Sequence, residues 1–174
     1  SAIAGGDQDV TLQMKGIPGA TMTILAHSLR DAAGQPVTER VLFTQVNAER
    51  LPMPPPRGSQ FMLAWTVQPA GLRFNPPAKM CIPNTGLPPG QVIELFSFDH
   101  DLVQFAAIGT ARVSADGSQI CSDPGFGVIK SGWGGGAPPP PPPCSAACGP
   151  APTDTQCVQH EAIPSPLPCG CPTY

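Results

Sequence analysis

From residue 10 to about residue 130, short runs of β-forming residues alternate with turn sequences. In QVIELFSF, at 91–98, Val92, Glu94 and Phe96 fall on one face of an extended chain, and Ile93 and Leu95 on the other. Turn sequences such as IPGA, AAGQP and NTGLPPG recur at the spacing of roughly 8–12 residues that is typical of a sandwich or of a sheet closed on itself. No long stretch carries a capped helical period.

This pattern predicts an all-β fold, an antiparallel β-sandwich over residues 10–133. The proline-rich stretches LPMPPPRGS (51–59) and FNPPA (74–78) are predicted loops, because proline removes a donor from any ladder. ADGS (115–118) predicts a hairpin with a type I′ turn, since Asp-Gly can supply the positive φ that this turn needs. The predicted strands are VTLQMKG (10–16), TMTILAH (21–27), RVLFTQV (40–46), QFMLAWTV (60–67), KMCIP (79–83), QVIELFSF (91–98), VQFAAIG (103–109), ARVSA (111–115) and SQICS (118–122).

The two ends of the chain lack this alternation. Residues 1–9 are predicted to form an N-terminal arm. Residues 134–143 begin with GGG, a predicted hinge, and continue into a run of prolines that should form a polyproline helix of roughly 19 Å at about 3.1 Å per residue. Residues 144–174 have no apolar period. The full prediction is therefore a β-sandwich followed by a polyproline segment and a disulfide-rich irregular tail.

Composition and charge narrow the class of protein. With 25 prolines and 19 glycines among 174 residues, part of the chain must be extended rather than packed. A formal net charge of −3 leaves no basic face for phosphates and argues against nucleic acid as a partner. The longest apolar runs fall far short of the roughly 20 residues that a membrane-spanning helix needs, so none is predicted. The opening SAIAGGDQ fits a processed secreted protein or a piece of a longer one.

Cysteine usage points to an oxidising compartment. A chain with 7 cysteines fits an exported protein whose thiols are mostly paired. Cys81 and Cys121 lie on separate predicted strands and form the predicted pair inside the sandwich. For the tail, disulfides are preferred over metal ligation; two bridges there would leave one thiol for an interchain bond or a free buried site. The tail cysteines are Cys144, Cys148, Cys157, Cys169 and Cys171.

Residues 76–120 contain an ordered set of strands and turns: a proline-bounded strand, LPPG, a strand ending in SFDHD, a GT strand and the SADG hairpin. In this order the region from Val10 to Trp133 resembles a β-sandwich module of large bacterial surface and secreted proteins, found upstream of Rhs/YD-type repeats and related to a domain of netrin receptors and zonula-occludens proteins. The resemblance implies an extracellular structural or spacer role. Some eukaryotic relatives cleave themselves at His-Phe-Ser; this chain has SFDHD, so self-cleavage is not carried over.

Candidate catalytic and metal-binding groups are few. FDHD gathers two carboxylates around an imidazole, but in a strand Asp99 and Asp101 share one face and His100 points to the other, so turn residues are the preferred interpretation. His27 and His160 have no partner at zinc spacing. No serine lies in a Gly-x-Ser-x-Gly elbow, and no glycine-rich phosphate loop opens a helix. We therefore predict no enzyme activity, no metal and no cofactor.

These observations favour an extracellular or bacterial cell-surface structural protein, a fibre subunit whose partners are copies of itself. Its contacts would use the N-terminal arm or the tail, and the tail either carries O-linked sugar or is an undecorated linker. One alternative is a spacer or adhesion module of a large bacterial surface or Rhs-type secreted protein. Another is a secreted glycan-binding module, motivated by Trp65, Trp133 and FDHD, although tryptophans are more often core or anchor residues. Candidate contact residues are Ile3, Val10, Trp133, Pro138 and Pro143, and candidate glycosylation sites are Thr153, Thr155 and Ser165.

Overall fold

Twelve β-strands make up the regular structure together with one 3-10 turn, and no α-helix occurs in the residues described. The computed structural model describes residues 1–51, 53–56, 59–100 and 102–138. The 3-10 turn, Ala48–Arg50, is capped by Asn47, whose side chain accepts a hydrogen bond from the Glu49 amide at 3.0 Å. The strands are β1 Ala2–Ala4, β2 Val10–Gln13, β3 Thr21–Ile24, β4 Leu29–Arg30, β5 Glu39–Val46, β6 Leu63–Gln68, β7 Arg73–Pro83, β8 Val92–Asp99, β9 Gln104–Val113, β10 Gln119–Ser122, β11 Val128–Lys130 and β12 Gly132–Ala137.

The strands form an antiparallel sheet that nearly closes on itself. The order along the sheet is β1-β5-β6-β12-β8-β9-β10-β7-β3-β2, and β4 and β11 pair with β7 off this path. The two ends of the path meet where Lys15, just after β2, forms a bridge with Thr44 of β5. There the Lys15 amide donates to the Phe43 carbonyl at 2.9 Å, and the Gln45 amide donates to the Lys15 carbonyl at 3.0 Å. The predicted all-β antiparallel fold is confirmed.

Each predicted run of β-forming residues overlaps an observed strand, and four strands were not predicted. The runs VQFAAIG and ARVSA belong to one long strand, β9, rather than to two. The unpredicted strands are β1, β4, β11 and β12. Of these, β1 lies in the region predicted as an N-terminal arm: Ala2–Ala4 pairs with β5, and Ala4 is buried. The first residues of the chain are therefore part of the sheet.

Residues 74–78, predicted as a loop, lie within β7, so that prediction was wrong. Pro76 and Pro77 bring no N–H donor to the ladder. Over this stretch, however, β7 pairs with β11 through an irregular register, which shifts between Val128 and Lys130. Prolines are tolerated in a sheet at such irregularities, because no ladder hydrogen bond is lost there.

The hairpin predicted at 115–118 is confirmed, but its turn type was wrong. β9 and β10 pair on either side of it, and the Gly117 amide donates to the Ser114 carbonyl at 2.9 Å. Gly117 has φ +73° while Asp116 is not in the left-handed region, whereas a type I′ turn needs positive φ at both central residues. The Asp116 carboxylate instead accepts hydrogen bonds from the Ser114 hydroxyl and from the amide and hydroxyl of Ser118. These bonds, that from Ser114 first, lower the pKa of Asp116 to about 2.

The glycine run 134–136, predicted as a hinge, lies in β12, which is paired on both sides, with β6 and with β8. A Cβ on Gly134 would overlap the indole of Trp65, and a Cβ on Gly135 would overlap the ring of Phe61. The missing side chains therefore let one aromatic ring approach each face of the strand. The hinge prediction was wrong because these glycines supply close packing, and the sheet continues past Trp133 to Ala137.

Two apolar clusters lie on opposite faces of β12. The larger one contains Trp65 with most of the buried residues of the fold. The smaller one contains Phe96, Phe98 and Phe105 and is covered from the segment between β5 and β6 by Leu51, Met53 and Phe61. In this cluster the rings of Phe61 and Phe105 meet edge-to-face, with centroids 4.9 Å apart. All described residues belong to one compact unit, Ser1–Pro139.

Candidate functional site

The FDHD motif stands at the end of β8, beside a cleft. Asp99 is the last residue of β8, and His100 follows it in the turn. Asp99 Oδ1 accepts a hydrogen bond from the Leu102 amide at 3.2 Å, and Asp99 Oδ2 accepts one from Lys130 Nζ at 3.2 Å. The motif therefore ties the β8–β9 turn to β11. Asp101 lies outside the described residues.

His100 extends the smaller aromatic cluster toward solvent. Its ring meets the buried ring of Phe98 edge-to-face at a centroid distance of 4.9 Å, while His100 itself is exposed. The sequence predicted that Asp99 and His100 point to opposite faces of a strand. Their contacts differ accordingly, since Asp99 pairs with Lys130 and His100 packs on the ring of Phe98. The motif does not form a converging acid/base site among the described residues.

Three cationic residues lie side by side across β4, β7 and β11. Arg30 of β4 is the register partner of Arg73 of β7, and Arg73 is also the register partner of Lys130 of β11. Cross-strand partners in an antiparallel ladder point to the same face of the sheet. The neighbouring pair Leu29 and Phe74 is buried, which places Arg30 and Arg73 on the outer face. We call Arg30, Arg73 and Lys130 the cation row.

Arg73 and Lys130 of the cation row line a cleft of about 300 Å³ between the start of β7, the end of β8 and the end of β11, and Arg30 lies beside Arg73 outside this lining. Its apolar floor comes from Leu72 and Phe98, both buried. Ser131 is also buried, and its hydroxyl accepts a hydrogen bond from the Leu72 amide at 2.9 Å. The residues lining the cleft are Ala32, Gly71, Leu72, Arg73, Phe98, His100, Lys130 and Ser131.

The charge of the cation row is only partly neutralised by the described residues. Lys130 pairs with Asp99, whose side chain is 23% exposed. The Arg73 side chain makes no hydrogen bond or ion pair with another described residue, and Arg30 Nη1 donates to the Leu29 carbonyl at 3.2 Å. The cleft therefore combines excess positive charge with hydrogen-bond donors, which suits it to an anionic group.

Sequence reasoning missed this site. The net charge of −3 led to the expectation that no basic face exists, and the three cations stand far apart in the chain. Only the register of β4, β7 and β11 brings them together. Two of these strands are three residues long or shorter, which is too short for an alternating pattern of apolar and polar residues to predict them.

The predicted disulfide between Cys81 and Cys121 is present. The two cysteines are register partners on β7 and β10, and the bond closes a sequence separation of 40 residues. The remaining cysteines, Cys144, Cys148, Cys157, Cys169 and Cys171, lie outside the described residues, as do Thr153, Thr155, Ser165 and His160.

The predicted contact residues take different positions. Ile3 projects from β1 and is 57% exposed, whereas Val10 is half-buried in β2 and pairs with Ile24 of β3. Trp133 is half-buried against the smaller aromatic cluster. Pro138, the last described residue, is exposed, and Pro143 lies outside the described residues. Their roles in contacts between subunits stay predictions.

The tryptophans do not form an exposed platform. Trp65 is 2% exposed in the larger cluster, as a core residue would be. Within the described part of the chain, no three His, Cys, Asp or Glu side chains come together to hold a metal ion. No helix in that part has the length and apolar character to cross a membrane.

Comparison with protein-family models, with curated proteins and with solved structures finds no match to this chain.

Proposed function

We propose that this chain is an exported, non-enzymatic structural protein in which a disulfide-stabilised β-domain carries a proline- and cysteine-rich segment that joins it to further copies. The observation that carries the proposal is the way the chain leaves the domain. Ala137, buried at the end of β12, is followed directly by exposed Pro138, the first of six consecutive prolines.

The position of β12 suits a strand that transmits load. Because β12 is hydrogen-bonded to β6 and to β8, a force on the proline run is resisted by two ladders at once. A polyproline helix adds a stiff spacer at low ordering cost. An attachment segment anchored in this way holds its domain firmly, as a fibre or surface-layer subunit requires.

The disulfide supports export. Structural disulfides form and persist in extracellular, periplasmic and cell-surface environments and are rare in the cytosol. With Cys81 and Cys121 paired, five cysteines remain in residues 144–174, an odd number, so at least one has no partner among these 174 residues. We infer that this thiol forms the covalent link between copies.

The N-terminal residues have a smaller part in this proposal than in the sequence-based hypothesis. Ala2–Ala4 already pairs with β5 of its own chain, so these residues are not a free strand for a neighbour.

We infer further that opposing stretches of the nearly closed sheet pack face to face as the two layers of the predicted sandwich.

Electron micrographs and sedimentation of the full chain, purified under oxidising conditions, test the proposal. We expect oligomers or filaments that shorten when the five tail cysteines are replaced by serine. The matched control is Cys81→Ser with Cys121→Ser, which removes a disulfide of the domain and should leave the assemblies in place. Monodisperse monomers at every concentration would sink the proposal.

A spacer or adhesion module of a large bacterial surface or Rhs-type secreted protein is the alternative, supported by the resemblance over Val10 to Trp133. The same exit from β12 would then lead to the next domain of one chain. The complete reading frame distinguishes the two: flanking repeats favour the spacer, and a short gene with a signal peptide favours the subunit.

A further inference from the structure

We propose that the cleft beside the cation row binds an acidic oligosaccharide, whose carboxylate or sulfate groups are held by Arg30, Arg73 and Lys130. This binding does not depend on assembly through the tail, because all three residues lie on strands of the β-domain.

The cation row carries an electrostatic repulsion that the described residues relieve only in part. Like charges directly opposite each other in a ladder destabilise the sheet, and here two such juxtapositions share Arg73. In a chain of net charge −3, acidic residues are plentiful enough to neutralise the row, yet among the described residues only Asp99 does so. An external anion would offset this repulsion.

The length of the cation row suits a chain of acidic sugars better than a small anion. Neighbouring strands are about 4.8 Å apart, so the row spans roughly 10 Å across β4, β7 and β11. A single small anion meets only one or two of these cations, whereas a chain of sugars with repeated acidic groups can meet all three. Arginine in particular presents a planar fork of donors that matches carboxylate and sulfate oxygens two at a time.

The lining of the cleft suits a sugar ring. Buried Leu72 and Phe98 offer an apolar floor for the C–H face of a sugar ring, and His100 stands at its edge. At about 300 Å³ it lies at the small end of ligand pockets, which fits one sugar unit with its neighbours lying outside along the row.

Nucleic acid also offers repeated negative charge, but the observations disfavour it. Nucleic-acid sites gain affinity from many phosphate contacts and usually belong to basic domains. This chain is acidic, its row is short, and its disulfide points to an exported protein, where acidic glycans of cell surfaces and matrices are the common polyanions.

Calorimetric titration of the full chain at low salt tests the inference with four probes: an oligogalacturonate, a heparin hexasaccharide, neutral maltohexaose and single-stranded DNA of similar charge. We expect binding of an acidic sugar and none of maltohexaose. Binding of the oligogalacturonate alone assigns carboxylate as the recognised group, and binding of heparin alone assigns sulfate.

Arg73→Ala should weaken the sugar's affinity at least ~10-fold, as expected for a charge-assisted hydrogen bond. The matched control is Arg40→Ala, which removes the same charge from an exposed site on β5 outside the cleft and should change the affinity little. Asp99→Asn should act in the opposite direction and strengthen binding a few-fold, because it frees Lys130 while keeping the Oδ1 acceptor for Leu102.

The thermal midpoint of unfolding shows whether each variant folds. For Arg73→Ala we expect a midpoint equal to or above that of the unmodified protein, because the repulsion within the cation row is relieved. The inference is overturned if no acidic sugar binds, if DNA binds as tightly as the best sugar, or if Arg40→Ala weakens binding as much as Arg73→Ala.

Discussion

Gly134 and Gly135 illustrate how single residues decide packing in this sheet, since each lies under an aromatic ring on a different face of β12. We expect Gly134→Ala to lower the free energy of unfolding by about 1–3 kcal/mol, because Trp65 is fully buried and cannot move aside. Gly135→Ala should cost less, since Phe61 is half-buried in a connecting segment and can shift. Urea denaturation measures both.

Gly136→Ala is the matched control for these variants. Its added Cβ would meet its nearest neighbour at 3.5 Å, an ordinary van der Waals contact. Because alanine also loses less backbone entropy than glycine, this variant should be neutral or slightly more stable. Equal losses at all three positions would mean that the effect comes from strand propensity rather than from the rings.

Asp116 should make the protein sensitive to acid. Its pKa in the folded state is about 2, below the ordinary 3.8, because the ionised carboxylate accepts hydrogen bonds from Ser114 and Ser118. A depressed carboxyl pKa contributes stability above the unfolded value, and that contribution is lost as pH falls through about 4 to 2. In Asp116→Asn, the thermal midpoint should therefore fall less between pH 5 and pH 2.5 than in the unmodified protein. Parallel curves would contradict this role.

At the scale of the strands, the disulfide joins two elements that also share a ladder. Ile120 pairs with Ile82 next to the bond, so β7 and β10 should stay together without it. For a closed loop of this length, replacing Cys81 and Cys121 by serine should lower the free energy of unfolding by about 2–4 kcal/mol, mainly because the unfolded chain regains freedom. Chemical denaturation checks the size, and retained β-sheet circular dichroism checks the fold.

The strands that could be predicted from the sequence are those whose side chains form an alternating pattern. β8 and β5 carry large residues on alternate positions, and their runs were found within a few residues of their bounds. β12 could not be found in this way, because three of its residues are glycines whose place in the sheet depends on Trp65 and Phe61 elsewhere in the chain. The prolines of β7 misled for a related reason: their tolerance depends on the register of β11.

For the whole molecule, the net charge of −3 does not reveal the local group of positive charges in the cation row. The cation row is assembled from three strands and could not be seen in a total of 9 basic and 12 acidic residues. The segment before the proline run was also predicted wrongly from the sequence. It was predicted as a flexible hinge, whereas in the structure it is β12, a strand paired on both sides. Both features follow from strand order, which local patterns do not specify.

If the β-domain is exported and linked to further copies through the cysteines of residues 144–174, the protein should carry reducible bonds between chains. Intact-mass spectrometry of the full chain, isolated from its native source and measured before and after reduction, detects such bonds. We predict a species of twice the chain mass, or a higher multiple, that falls to the single-chain mass on reduction, with any attached sugar visible as added mass. A single-chain mass under both conditions would contradict a covalent link between copies.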